Sequence, residues 1–216
     1  GQRCSALRVL FVQNEIAARV IRLLAAAMQE IQIGDPLLLA SDVGPLIDQD
    51  AARSLQPHVA RLQREARLLQ RVDPPQNLQA GCFFPLQAFE LESLALLEKE
   101  VFGPVLHVVR YRADKLERVI DAVNNTGYGL TLGVHSRIEE TWLRVQARAR
   151  VGNLYINRNM IGAVVGAQPF GGEGLSGTGP KAGGPYYLHR FATERTLSVN
   201  TAAVGGNTGL LSLPED

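Results

Sequence analysis

The chain has 216 residues, 46% of them hydrophobic, and a formal net charge of +1. A chain of this size buries one sound core, and its near-neutral balance gives no electrostatic reason to expect nucleic acid or a membrane surface as a partner. Its two cysteines, Cys4 and Cys82, suit neither a disulfide framework nor a metal site; no apolar run is long enough for a transmembrane helix, and no signal peptide is visible, so a reducing cytoplasm is the expected home.

In chain order, residues 6–13 read as a buried strand that begins almost at once, without an initial Met, so further sequence is expected upstream. Asn14 is placed to cap a helix whose apolar face is Ile16, Val20, Leu23, Leu24, Ala27 and Ile31, ended by Gly34-Asp35-Pro36. A loop over 35–47 and a second amphipathic helix over 49–66 follow. Pro74-Pro75 breaks the chain, Cys82-Phe-Phe84 reads as a short strand, and the β-branched run Val105–Tyr111 as another. Asp114 and Glu117 form a capping-box pattern before Leu116, Val119, Ile120 and Val123. Gly127 and Gly129 close that helix, and Leu130–Val134 returns as a strand. Ser136 and Glu139 repeat the box before a helix with Ile138, Trp142, Val145 and Ala149 on one face, and Leu154–Ile156 is the next strand. This alternation predicts an α/β fold with a doubly wound, mostly parallel sheet.

After Asn157 the period disappears. Residues 162–185 are dense in Gly and Pro, and a loop of that length in a domain is usually functional. Residues 194–200 read as a lone strand, suited to pairing with another subunit. The expected division is a catalytic domain over 1–193 and an oligomerisation strand and tail over 194–216.

Free cysteines are most often buried and structural, but Cys4 stands between Arg3 and Ser5, where a guanidinium can favour a thiolate nucleophile. Taken alone, Glu100 reads as a solvated helix end, Phe102 equally as packing or as a contact, and Gly162 as a turn. His58, His107, His135 and His189 show no ligand spacing, so no metal is expected. Cys82 reads as inert and Lys181 as a solvated charge. Gly172-Glu-Gly-Leu-Ser-Gly177 fits G-x-G-x-x-G, but it neither follows a strand nor opens a helix, as a dinucleotide fingerprint must.

Gly1-Gln-Arg-Cys-Ser-Ala-Leu-Arg8 resembles the nucleophile segment of aldehyde dehydrogenases, Glu100-Val-Phe-Gly-Pro-Val105 their second signature, and Gln168-Pro-Phe-Gly-Gly172 with Ser176-Gly177 their third. The three stand in family order over essentially the whole chain. Residues 155–160, 162–166 and 174–185 resemble one branch, the L-glutamate-γ-semialdehyde (pyrroline-5-carboxylate) dehydrogenase domain of the bifunctional proline utilization A proteins, as does the ending Asn200-Thr-Ala-Ala with Gly205-Gly-Asn207. The resemblance implies NAD-dependent oxidation of the semialdehyde to L-glutamate through a Cys4 thioester, with the Cys4 N–H in the oxyanion hole. It implies Glu100 and Phe102 as NAD contacts. Ser5, the N–H groups of Gly162 and Ala163, and Phe170 would be the substrate contacts. The NAD-binding domain, the general base and the second oxyanion donor would lie upstream, with a flavin-dependent proline dehydrogenase region of the same polypeptide. FAD is expected only there. A homodimer or higher oligomer is expected, and little activity from these residues alone. The alternatives are an aldehyde dehydrogenase with another substrate, or a non-catalytic assembly domain.

Overall fold

The most β-branched stretch of the chain becomes β4 (Val105–Tyr111), an interior strand of a four-stranded sheet with β1 (Val9–Gln13), β2 (Arg67–Val72) and β3 (Leu86–Leu91) in the order β1-β4-β3-β2. The structure, a computed structural model, describes residues 1–78, 81–200, 203 and 209. β1 and β3 both run parallel to β4, with Val9 opposite His107 and Gln87 opposite Val105. β2 is antiparallel to β3 and forms one edge.

Both faces of this sheet are covered, which is why β4 reads as a continuous apolar run rather than an alternating one. On one face α2 (Gln49–Glu65) packs Ala52, Leu55, Val59 and Leu62 against Phe89, Leu91, Val105 and Val109. On the other, α1 (Asn14–Gln29) packs Ala17 and Ile21 on Val12 and Val108, and Met28 reaches Leu86 and Ala88. Phe89 and Leu62 are both 0% exposed; burying a side chain of this kind stabilises by about 1.5–3 kcal/mol. The spacings 52, 55, 59, 62 and 17, 20, 21, 24, 28 are single helical faces.

Several elements depart from the sequence reading. The cap of α1 is Gln13, and Asn14 is its first helical residue, with no side-chain cap bond. Its buried face is turned by one residue, leaving Ile16 51% and Leu23 57% exposed. The run from Ile16 to Met28 is apolar nearly all round, so periodicity could not choose the face. The helix stops at Gln29, well before Gly34. Asp48 caps α2, accepting from the Ala51 N–H at 2.7 Å. Residues 82–84 are loop, and the strand begins at Leu86 instead.

The second half contains α3 (Leu116–Asn125), β5 (Tyr128–Gly129), β6 (Thr131–Val134), α4 (Glu139–Arg148), β7 (Asn153–Ile156) and β8 (Glu173–Gly174). β6 and β7 pair in parallel, β5 and β8 antiparallel. Leu116, Ile120 and Val145 join the helices over Leu132, Val134 and Leu154. Neither capping box forms. Asp114 is held by Arg112 and Lys115, each at 2.9 Å, and a short 3-10 turn over 113–115 precedes α3. Ser136 Oγ accepts from the Ile138 N–H at 3.1 Å, and Ile138 is the cap of α4. Residues 194–200 form no strand in this chain and are exposed throughout; the rest of the tail, apart from 203 and 209, lies outside the described residues. No helix among the described residues is long and apolar enough to cross a membrane.

Candidate active site

The parallel pairing of β1 with β4 brings their amino ends together, and with them the two segments that precede these strands. Cys4 lies exposed in a turn closed by the Ala6 N–H donating to the Arg3 carbonyl at 3.1 Å. Residues 100–104 lie beside it. The approach is so close that a Cβ on Gly1 would stand 2.0 Å from the Gly103 carbonyl oxygen, a contact only glycine permits.

Arg8 joins the two segments. Its guanidinium donates to the Gly1 carbonyl at 2.6 Å and the Arg3 carbonyl at 2.8 Å, pairs with Glu100 at 3.5 Å, and lies over the Phe102 ring at 4.6 Å from the centroid. Burial pulls its pKa down, while the Glu100 charge, the Glu100 hydrogen bond and the charge of Cys4 push it back up; the group stays charged, as arginine does in proteins. Arg3, the cation the sequence places next to Cys4, instead donates to the Gln2 carbonyl at 2.9 Å. Glu100 and Phe102 are each 40% exposed; Glu100 lies outside any helix, and Phe102 is not a core residue.

Arg8 is fixed from behind by β4. Its carbonyl accepts from the His107 N–H at 3.1 Å and meets His107 Nδ1 at 2.8 Å. A carbonyl can only accept, so Nδ1 carries the proton and Nε2 is an acceptor. His58 Nε2, at 2.9 Å, is therefore the donor of the pair. Burial, then the neighbouring His107, Arg61 and Lys99, lower His58 to about 4, and burial lowers His107 as well. Both imidazoles are neutral at pH 7.

On the other side of the turn, Ser5 is 4% exposed and its Oγ accepts from the Gly162 N–H at 2.9 Å. Sequence reasoning offered the Gly162 N–H to a substrate; in this structure Ser5 holds it. The Ser5 hydroxyl hydrogen stays available, and the Ala163 N–H donates to no described group. Gly162 has φ +64°, the left-handed region that suits glycine, and its carbonyl accepts from the Tyr155 hydroxyl at 2.5 Å. Phe170 is half-buried and exchanges two 3.0 Å backbone bonds with Ala182, but no hydrogen bond or ring contact ties it to the Cys4 turn. Glu173–Gly174, inside the false fingerprint, pairs with β5 rather than opening a helix. Lys181 is half-buried and donates to the Gly152 carbonyl, so it is not a solvated charge.

Arg8, His107, His58 and Tyr155 carry this arrangement although no site role was expected of them: the histidines were read only as lacking ligand spacing, and Tyr155 only as part of a family motif. Arg8 stands inside the segment that revealed Cys4, which is the one signal that marked it; the histidine pair is 49 positions apart and had none.

With that geometry in place, the model of the aldehyde dehydrogenase family matches residues 1–197. The chain belongs to the aldehyde dehydrogenase family. It is 53% identical over 200 residues to the bifunctional protein PutA of Salmonella typhimurium, covering 90% of this chain and 15% of that protein. It superposes on crystallographic proline utilization A from Bradyrhizobium japonicum with TM-score 0.86 and 58% identity, over 94% of this chain and 21% of that one. A 1-pyrroline-5-carboxylate dehydrogenase from Thermus with bound NAD matches at TM-score 0.77 and 32% identity, over 88% of this chain and 36% of that one. The doubly wound α/β fold is thus the family's own, and the chain spans about a seventh of the length of the PutA protein it matches.

Proposed function

We propose that these residues form the catalytic half of an NAD-dependent L-glutamate-γ-semialdehyde dehydrogenase, part of a larger bifunctional protein of proline catabolism. The observation that carries this reading is the exposed Cys4 thiol flanked by two different surfaces: Ser5 with the 162–163 loop on one side, Glu100 with Phe102 on the other.

Cys4 Sγ attacks the aldehyde carbon, and the oxygen that gains charge is met by the Cys4 N–H, which donates to no described group. Held by Glu100 and Phe102, NAD would supply the hydride acceptor for this carbon. The acyl group is then a thioester on Cys4, and water cleaves it to release L-glutamate and the thiol. The substrate's own carboxylate is received by the Ser5 hydroxyl and the Ala163 N–H, and Phe170 lies along its aliphatic chain. Gly162 positions Ser5 and orients that loop. The residues fit the cofactor: Glu100 is half-exposed and, among the described residues, engaged only by Arg8, leaving acceptor capacity for ribose hydroxyls, and Phe102 offers an exposed ring.

In the same reading, residues 1–193 are the catalytic unit, and 194–216 pair with another subunit; the exposure of 194–200 supports this. The remaining cofactor contacts, the general base and the second oxyanion donor come from other parts of the larger protein. The test follows NADH formation from pyrroline-5-carboxylate by the full-length protein, its Cys4→Ala variant and these residues alone. Turnover only by the unmutated full-length protein is expected. Retained activity in Cys4→Ala, or preference for aldehydes lacking a carboxylate, would overturn the reading.

A further inference from the structure

The Arg8 side chain is 17% exposed, and its two terminal nitrogens reach the Gly1 and Arg3 carbonyls and Glu100, while its Nε is buried with no partner among the described residues. An arginine satisfying its own donors would not leave one unpaired; its orientation is dictated by the segments it joins. Its planar fork grips two carbonyls of the Cys4 turn at once, and its face covers the Phe102 ring. Its backbone cannot drift, because His107, 0% exposed, holds the Arg8 carbonyl by two bonds.

We propose that Arg8 is the positioning residue that sets the Cys4 nucleophile in register with the Glu100–Phe102 cofactor surface. This rests on the roles given above to Cys4, Glu100 and Phe102. The fork fixes the turn through the Gly1 and Arg3 carbonyls, and the stacked face sets its distance from Phe102. Glu100 is the charged group opposing Arg8 at this point, while Arg3 turns away to the Gln2 carbonyl.

The test uses the full-length protein with Arg8→Lys and Arg8→Met, each checked for an unchanged melting temperature. Iodoacetamide alkylation of Cys4 at one fixed pH is followed by peptide mass, as a reporter of the turn's geometry, beside kcat and the KM for NAD. Arg8→Met is expected to change the alkylation rate and to lower kcat about 10- to 100-fold, the scale of a small misplacement at a reacting centre. Arg8→Lys, which cannot hold both carbonyls, should also lose turnover, with a raised KM for NAD. A folded Arg8→Met with the unmutated alkylation rate overturns the proposal, as does Arg8→Lys with unmutated kcat and KM. If neither variant folds, Arg8→Gln, whose amide can hold one of the two carbonyls, decides: a changed alkylation rate with lowered kcat supports the proposal, and unmutated values overturn it. A mistaken substrate would silence turnover in the unmutated protein too, whereas the alkylation rates need no substrate and report on Arg8 alone.

Discussion

The four-stranded sheet and the glycine-rich segment 162–185 flank the same cysteine, yet they are held in place by different physics. The sheet positions Arg8 and the Cys4 turn through buried apolar side chains on both faces, with polar insertions at Gln87 and the His58–His107 pair. The glycine-rich segment has almost no buried apolar side chain of its own. Single side chains fix it instead: Asn153 donates to the Pro169 carbonyl at 3.0 Å and accepts from the Gly171 N–H at 3.2 Å, Tyr155 holds the Gly162 carbonyl, and Lys181 reaches out of the segment to the Gly152 carbonyl. Packing gives many weak contacts that fail together, whereas a hydrogen-bonded loop has a few contacts that fail one by one. The Cys4 turn thus stands on the rigid side, and the Gly162 loop on the side that can adjust.

The comparison breaks most visibly at Phe89, which is 0% exposed between α2 and the sheet. Phe89→Ala is expected to cost about 3–5 kcal/mol of global stability. Denaturant unfolding would show it as one shifted transition, and an unshifted midpoint would mean that the sheet core is not the stabilising unit.

Asn153 sharpens the other half. Asn153→Ala strips two backbone groups of their partner, a loss of about 1–3 kcal/mol for each group left unsatisfied in a buried place. The effect should be local: faster proteolysis and amide exchange in residues 168–172, with the sheet's protection intact. Uniform loss of protection across both regions would show that the two are one cooperative unit.

The smallest effect is a pH dependence confined to the sheet side. His58 is depressed in the folded state from 6.5 to about 4. A base with a depressed folded pKa contributes stability that is present above the unfolded value and lost as pH falls. Melting temperature should therefore decline between about pH 6.5 and 4 through this group, discounted because His58 is only half-buried. His58→Gln, whose amide can still donate to His107, should flatten that decline, measured by thermal scans across the range. An unchanged slope would remove the histidine pair from the account.

The elements legible in sequence were those whose period belongs to one face or whose residues are uniformly apolar: α2, β4, α3 and β7 fall within a residue or two of their expected bounds. β2 and β3 were missed. Arg67–Val72 is an edge strand with mixed exposure, and Leu86–Leu91 is buried nearly throughout, so neither shows alternation. The first expected capping box failed because Asp114 has two nearby cations and prefers them to a backbone N–H, and the second because Ser136 Oγ accepts from Ile138, which itself caps α4. Cys4, Glu100 and Phe102 were legible as motif residues. Their meeting was not, since it depends on β1 lying next to β4 rather than next to β2.

By itself, the sequence determined the residue types at each signature, the apolar runs that become buried strands, and the glycines that let backbone approach backbone. These are local properties, written in neighbouring positions. The tertiary structure alone decided that Arg8 would bind carbonyls on one side and Glu100 and Phe102 on the other, that two neutral histidines would brace it, and that Ser5 would take the Gly162 N–H. Those partners lie up to 157 positions apart, and strand order, which no local pattern encodes, is what brings them within bonding distance.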